Sequence, residues 1–88
     1  MTTEIETTPT ATTELDCTGL LCPLPVYKAA LALNQLEPGD VLQLVTTDPG
    51  ALEDIPAMTR QRGDLLVAST PAEGSHVFLI QKGDGDGN

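Results

Sequence analysis

Aromatic side chains are almost missing from this chain. Tyr27 and Phe78 are the only two in 88 residues, and there is no tryptophan. A chain of this length makes one small domain with a thin core. Without aromatics, that core must be built from Leu, Val, Ile and Ala. Basic residues are nearly as scarce: Lys28, Arg60, Arg62 and Lys82 stand against thirteen acids, for a net charge of −9. A surface of that sign repels phosphate backbones and argues against direct nucleic-acid binding. It suits a cationic patch on a protein partner, or simply keeps a small protein soluble.

No apolar run is long enough to span a membrane. Glu4 and Glu6 stand where a signal peptide would carry bases, and no apolar segment follows them. A cytoplasmic protein is therefore expected. Two cysteines and one histidine are too few for a four-ligand structural zinc site. In a reducing compartment the thiols point to chemistry rather than to a disulfide staple. The terminal "DGDGN" lacks the later ligands and closing Glu of a calcium loop. No metal and no bound cofactor are expected. Nothing in the chain announces an interface, and a monomer is the expectation.

Residues 1–13 are Thr-rich and low in complexity, which predicts a disordered tail; 83–88 predict a flexible acidic one. The domain is then 14–82, still with nine acids against four bases. Residues 14–17 are a short candidate strand. In 26–36, Val26, Ala29, Ala30, Leu33 and Leu36 share one helical face, flanked by Tyr27 and Leu31. "EPGD" (37–40) turns the chain, and 41–47 read as a largely buried strand.

Residues 48–63 are a second helical region, with Asp48 as N-cap, Pro49 at the first helical position and Gly63 as the stop. Pro56 predicts a short opening turn, with the helix proper starting near Asp54 or Ile55. Strands at 64–70 and 76–82 flank a hairpin loop, "PAEGS", with Gly74 inside it. The order β-α-β-α-β-β predicts an α+β fold: a two-layer sandwich with two helices on one face of a mixed four-stranded sheet.

The stretch "GLLCPLP" (19–25) carries the chemistry. Pro25 cannot lie deeper than the first turn of a helix, and Pro23 suits its first position. Together they predict a helix beginning at about Cys22. The thiol would then meet the positive end of the helix, with the N–H groups of Leu24 and Val26 as its donors. Cysteines so placed have depressed pKa values and react readily. Free cysteines are also among the most buried residues, so a thiol packed under the helix remains open on these grounds.

"LDCTGLLCPLPVYKA", followed by "LEPGDVLQLVTTDPGALEDIPAM", a glycine and two strands, resembles the TusA-like (SirA-like) sulfur-carrier family over residues 14–82. The resemblance implies the same two-layer fold. It also implies a sulfurtransferase acting as a carrier, with Cys22 taking sulfur as a persulfide from a donor protein and passing it to an acceptor. Such relays feed tRNA thiolation, molybdenum cofactor work or sulfur oxidation. Cys22, Pro23 and Pro25 match the family motif, Asp16 and Gly19 the turn before it, and Asp48, Pro49 and Gly50 the start of the second helix. Many relatives carry another cysteine near Met58 or Thr59, which this chain lacks.

Cys17 carries no role over from the family. It reads as a small strand residue, or as a second thiol that resolves a Cys22 persulfide or forms a regulatory disulfide with it. That pair would suit a non-catalytic, redox-sensing module, the alternative function. Asp16 and Asp48 read as turn and cap formers. His76 reads as a surface residue, Lys28 as a source of positive field, and Arg60 and Arg62 as a solvated helix end.

Overall fold

The computed structural model describes residues 12–21 and 23–83. The elements are β1 (Thr13–Cys17), α1 (Leu24–Asn34), β2 (Val41–Thr46), α2 (Ala51–Arg62), β3 (Leu65–Ala72) and β4 (Ser75–Gln81). They form one mixed sheet in the order β1-β2-β4-β3. β1 and β2 are parallel, with Cys17 opposite Thr46, and β4 runs antiparallel to both of its neighbours. The β1-to-β2 and β2-to-β3 crossovers step along the sheet in the same direction. Right-handed connections then place both helices on the same face, as expected from the sequence.

Burial follows that arrangement. Leu42, Leu44, Phe78 and Ile80 project toward the helices and are fully buried against Ala29, Leu33 and Ile55. Each fully buried large side chain contributes about 1.5–3 kcal/mol relative to exposure. The alternate residues Gln43, Val45, Val77, Leu79 and Gln81 lie on the opposite, half-open face.

Several boundaries differ from expectation. Thr12 donates its backbone N–H to Val41 and Thr13 opens β1, so order begins inside the proposed N-terminal tail; residues 1–11 and 84–88 of the two tails lie outside the described residues. Helix α2 runs unbroken from Ala51 through Pro56. The ring forfeits one bond, to the carbonyl of Leu52, on the solvent side of the helix where Leu52 is exposed. Asp48 is not the N-cap of α2; Gly50 is. Asp48 holds the turn ahead of it, its Oδ1 accepting from Gly50 N at 3.3 Å and its carbonyl from Ala51 N at 3.1 Å. Gly63 ends α2 at φ +85°, a left-handed conformation that glycine adopts without steric cost. The hairpin is tighter than "PAEGS": Ala72 pairs with Ser75, leaving Glu73 and Gly74 as the turn.

Candidate functional site

The loop from β1 to α1 is built from local bonds at the C-terminal end of the parallel strands. Asp16 Oδ1 accepts from Thr18 N at 3.0 Å and from Thr18 Oγ1 at 2.8 Å. These bonds stabilise the carboxylate and hold its pKa below the ordinary value, the backbone bond contributing most. Leu20 N donates to Cys17 O at 3.1 Å, closing a turn with Gly19 at φ +81°. Among the described residues one long-range bond ties the loop down: Gly19 N donates to Thr47 Oγ1, just beyond β2, at 2.8 Å. A second turn follows, with Leu24 N donating to Leu21 O at 2.8 Å.

Cys22, the expected sulfur carrier, lies outside the described residues. Its sequence neighbours Leu21 and Pro23 are exposed. The helix starts later than expected. Pro23 is the N-cap, at φ −100° and ψ 19°, Leu24 is the first helical residue and Pro25 the second. The first turn needs no internal N–H donors, so two prolines fit there in more than one register. The Leu21–Leu24 turn selects this one. It also removes one of the two expected donors, because the Leu24 amide is already engaged. Tyr27 N makes the first bond back to Pro23 O, at 3.0 Å. Val26 is left as the first-turn amide that α1 provides with no internal acceptor.

Cys17 is fully buried in the core at the end of β1, and it is a free thiol. Burial pushes its pKa up; the positive field of Lys28 opposes the rise, and Asp16 adds to it. A neutral, enclosed thiol packs well and attacks poorly. The setting is that of a core residue and works against a resolving role for Cys17.

The structure brings together residues far apart in sequence. His76 pairs with Thr46, which pairs with Cys17, so the histidine stands at the same end of the sheet as the β1–α1 loop. It is half-buried, not a free surface residue. Its Nε2 lies 2.8 Å from Ser69 Oγ, and its ring packs on Phe78 at 4.8 Å. A cleft of about 180 Å³ opens there, lined by Thr46, Thr47, Asp48, Pro49, Leu52 and His76 among others. Asp48 Oδ2 is shut off from solvent and has no hydrogen-bond donor among the described residues. Among the described residues no group of three or more His, Cys, Asp or Glu is placed to hold a metal ion, and no helix is long and apolar enough to cross a membrane.

Two features were not singled out from the sequence. One is Thr47, whose hydroxyl anchors the loop; a Thr-Thr pair at a strand end carries no distinctive signal. The other is a set of exposed apolar residues, Leu21 in the loop and Leu24, Tyr27 and Leu31 along α1. Their signal was a helix apolar on two sides, of which only one can face the sheet.

Comparison with known proteins places these observations. The family described as Sulfurtransferase TusA matches residues 13–82. The "Sulfur carrier protein TusA" of Allochromatium vinosum is 44% identical over 69 residues, covering 78% of this chain and 91% of that protein. Its namesake in Pseudomonas syringae pv. syringae is 37% identical over 73 residues, covering 83% and 87%. The crystal structure of a SirA-like protein from Desulfitobacterium hafniense superposes with a TM-score of 0.72 at 25% identity, over 81% of this chain and 97% of that one.

Proposed function

Because the chain belongs to the TusA family, we propose that it is a sulfur carrier that holds sulfane sulfur as a persulfide on Cys22. The observation that carries this reading is that the matched region, residues 13–82, includes Cys22 within its Cys-Pro-x-Pro motif. In the loading step the Cys22 thiolate attacks the outer sulfur of a donor persulfide. The donor S–S bond breaks, its thiolate leaves, and a new S–S bond forms at Cys22, with no net oxidation. In the second step an acceptor thiolate attacks the outer sulfur on Cys22 and regenerates the Cys22 thiolate. The amide of Val26 and the positive end of α1 favour the anion in both steps.

The carrier unit is the domain 14–82, working in the cytoplasm between a cysteine desulfurase or rhodanese-like donor and an acceptor sulfurtransferase. It serves a relay of the tRNA-thiolation, molybdenum-cofactor or sulfur-oxidation kind. The competing redox-sensing reading needs Cys17 as a partner thiol, and the burial of Cys17 weakens it.

The test is incubation with a cysteine desulfurase and L-cysteine, or with a rhodanese-type donor, followed by intact-mass analysis. The wild type is expected to gain one reducible sulfur, Cys17→Ala to gain it equally, and Cys22→Ser to gain none. Equal gain by Cys22→Ser, or no gain by the wild type from either donor, overturns the reading.

A further inference from the structure

Among the described residues, the bonds of the β1–α1 loop are of two kinds. Asp16 Oδ1, Cys17 O and Leu21 O accept from amides two or three residues ahead. Such bonds shape the loop without fixing its place on the sheet. The bond from Gly19 N to Thr47 Oγ1, at 2.8 Å, does fix it, because Thr47 lies beyond the end of a different strand. Both residues are exposed. Water can serve either group if the bond opens, so its net effect on stability is small. What the bond supplies is geometry.

The acceptor is itself held from both sides. Thr46 is buried at the end of β2, paired with Cys17 on one side and His76 on the other. Asp48 N donates to Thr46 Oγ1 at 3.1 Å, and Asp48 Oδ1 accepts from Gly50 N at 3.3 Å. Thr47 therefore stands between a core residue and a bonded turn, and its hydroxyl is presented by backbone with little freedom. The donor is held as well. The Asp16 carboxylate accepts from both Thr18 N and Thr18 Oγ1, and Gly19 follows at φ +81°. Cys22 is three residues farther along the chain, a reach of at most about 11 Å. So short a tether passes a displacement of Gly19 on to the motif.

Resting on the carrier reading above, we infer that Thr47 is a positioning residue for sulfur exchange: its hydroxyl pins Gly19 and thereby sets how the Cys22 sulfur is presented to a donor persulfide. In that step the Cys22 thiolate forms a new S–S bond to the outer sulfur while the donor thiolate leaves. The attacking sulfur must be aligned with the bond that breaks, and a misplacement of about 1 Å can cost as much as 10²-fold. Thr47 exchanges no proton in the step and acts only through Gly19. Its loss slows the exchange itself, not the binding of the donor and not the intrinsic reactivity of the thiol.

The test compares the wild type with Thr47→Val, which keeps the shape and loses the acceptor, and Thr47→Ser, which keeps the acceptor. Loading from a cysteine desulfurase and L-cysteine is followed against carrier concentration, giving kcat and KM per folded protein. Alkylation of Cys22 by iodoacetamide is measured in parallel and reads the thiol without a positioned partner. Thr47→Val is expected to lower kcat about three- to tenfold, with KM and the alkylation rate as in the wild type. Thr47→Ser is expected to load as the wild type does. A wild-type kcat in Thr47→Val overturns the assignment and leaves the carrier reading intact. So does a Thr47→Ser variant as slow as Thr47→Val, a change confined to KM, or alkylation that slows in step with loading. A wild type that alkylates but never takes up sulfur overturns the carrier reading itself, and the role of Thr47 with it.

Discussion

The two ends of the sheet are held in different ways. At the end where α1 and α2 finish, side chains latch elements from across the sequence. Arg62 Nε pairs with Asp64 Oδ2 at 2.7 Å, and Arg62 Nη1 donates to Asn34 Oδ1 at 3.0 Å. Asp64 Oδ1 accepts from Gly83 N at 2.9 Å, and Lys82 Nζ donates to Leu33 O at 2.7 Å. At the end where the helices begin, the β1–α1 loop is held, among the described residues, by short-range turns and by one long-range bond, Gly19 to Thr47. The first end binds α1, α2, β3 and β4 into one body. The second carries the loop with the family motif. On the carrier reading, stability and sulfur exchange sit at opposite ends of the sheet, and changes at the two ends should register in different measurements.

The largest effect on stability should come from the latched end. Asp64→Ala removes a nearly fully buried carboxylate that serves both Arg62 and Gly83, and should cost about 2–3 kcal/mol. Urea unfolding will read that loss, while sulfur loading of the folded fraction stays at the wild-type rate. Gly19→Ala acts at the other end. Among the described residues no atom lies within 4 Å of an added Cβ, so the expected cost is that of the φ of +81°, about 1–2 kcal/mol. Here loading should slow by more than the stability change explains, because the strain falls on the loop before Cys22. Thr47→Val removes the acceptor for Gly19 N and should cost about 0.5–1 kcal/mol, with a smaller slowing of loading. If Gly19→Ala and Thr47→Val lower stability without touching loading, the division between the ends is lost.

The smallest effect concerns pH. The folded-state pKa of Cys17 is raised above its ordinary value of 9.0. The folded state therefore keeps its proton where the unfolded state releases it. This contribution is fully present below pH 9.0 and is lost as pH rises toward and through the folded value. Thermal unfolding across the alkaline range should show an extra decline in the wild type that Cys17→Ala lacks. The same decline in both proteins would show that the core thiol is not its source.

Much of this fold was legible because period and punctuation agree. The 3.6-residue stripe of α1, the "EPGD" turn and the Gly63 stop each point to the element found. The misreadings share a cause: a proline or an aspartate admits more than one register. Pro25 is tolerated at the second helical position as well as the third, Pro56 is accommodated where its neighbour faces water, and Asp48 can hold the turn before a helix as readily as cap the helix itself. For the candidate site, the motif named the residue but not its support. The Gly19–Thr47 bond joins residues 28 apart and depends on β1 lying beside β2, which no local pattern states. The apolar line Leu24–Tyr27–Leu31 was visible as residues flanking the core stripe, but its exposure required knowing which side of α1 meets the sheet.

The central claim is that one thiol carries the sulfur and the other packs the core. Proteolytic mapping of the sulfur-loaded protein, with free thiols blocked under native and then denaturing conditions, tests it most directly. The account predicts the added sulfur on the peptide containing Cys22, with Cys17 unmodified and accessible to alkylation only after unfolding. Sulfur recovered on Cys17, or a Cys17–Cys22 disulfide as the principal product of loading, would contradict it.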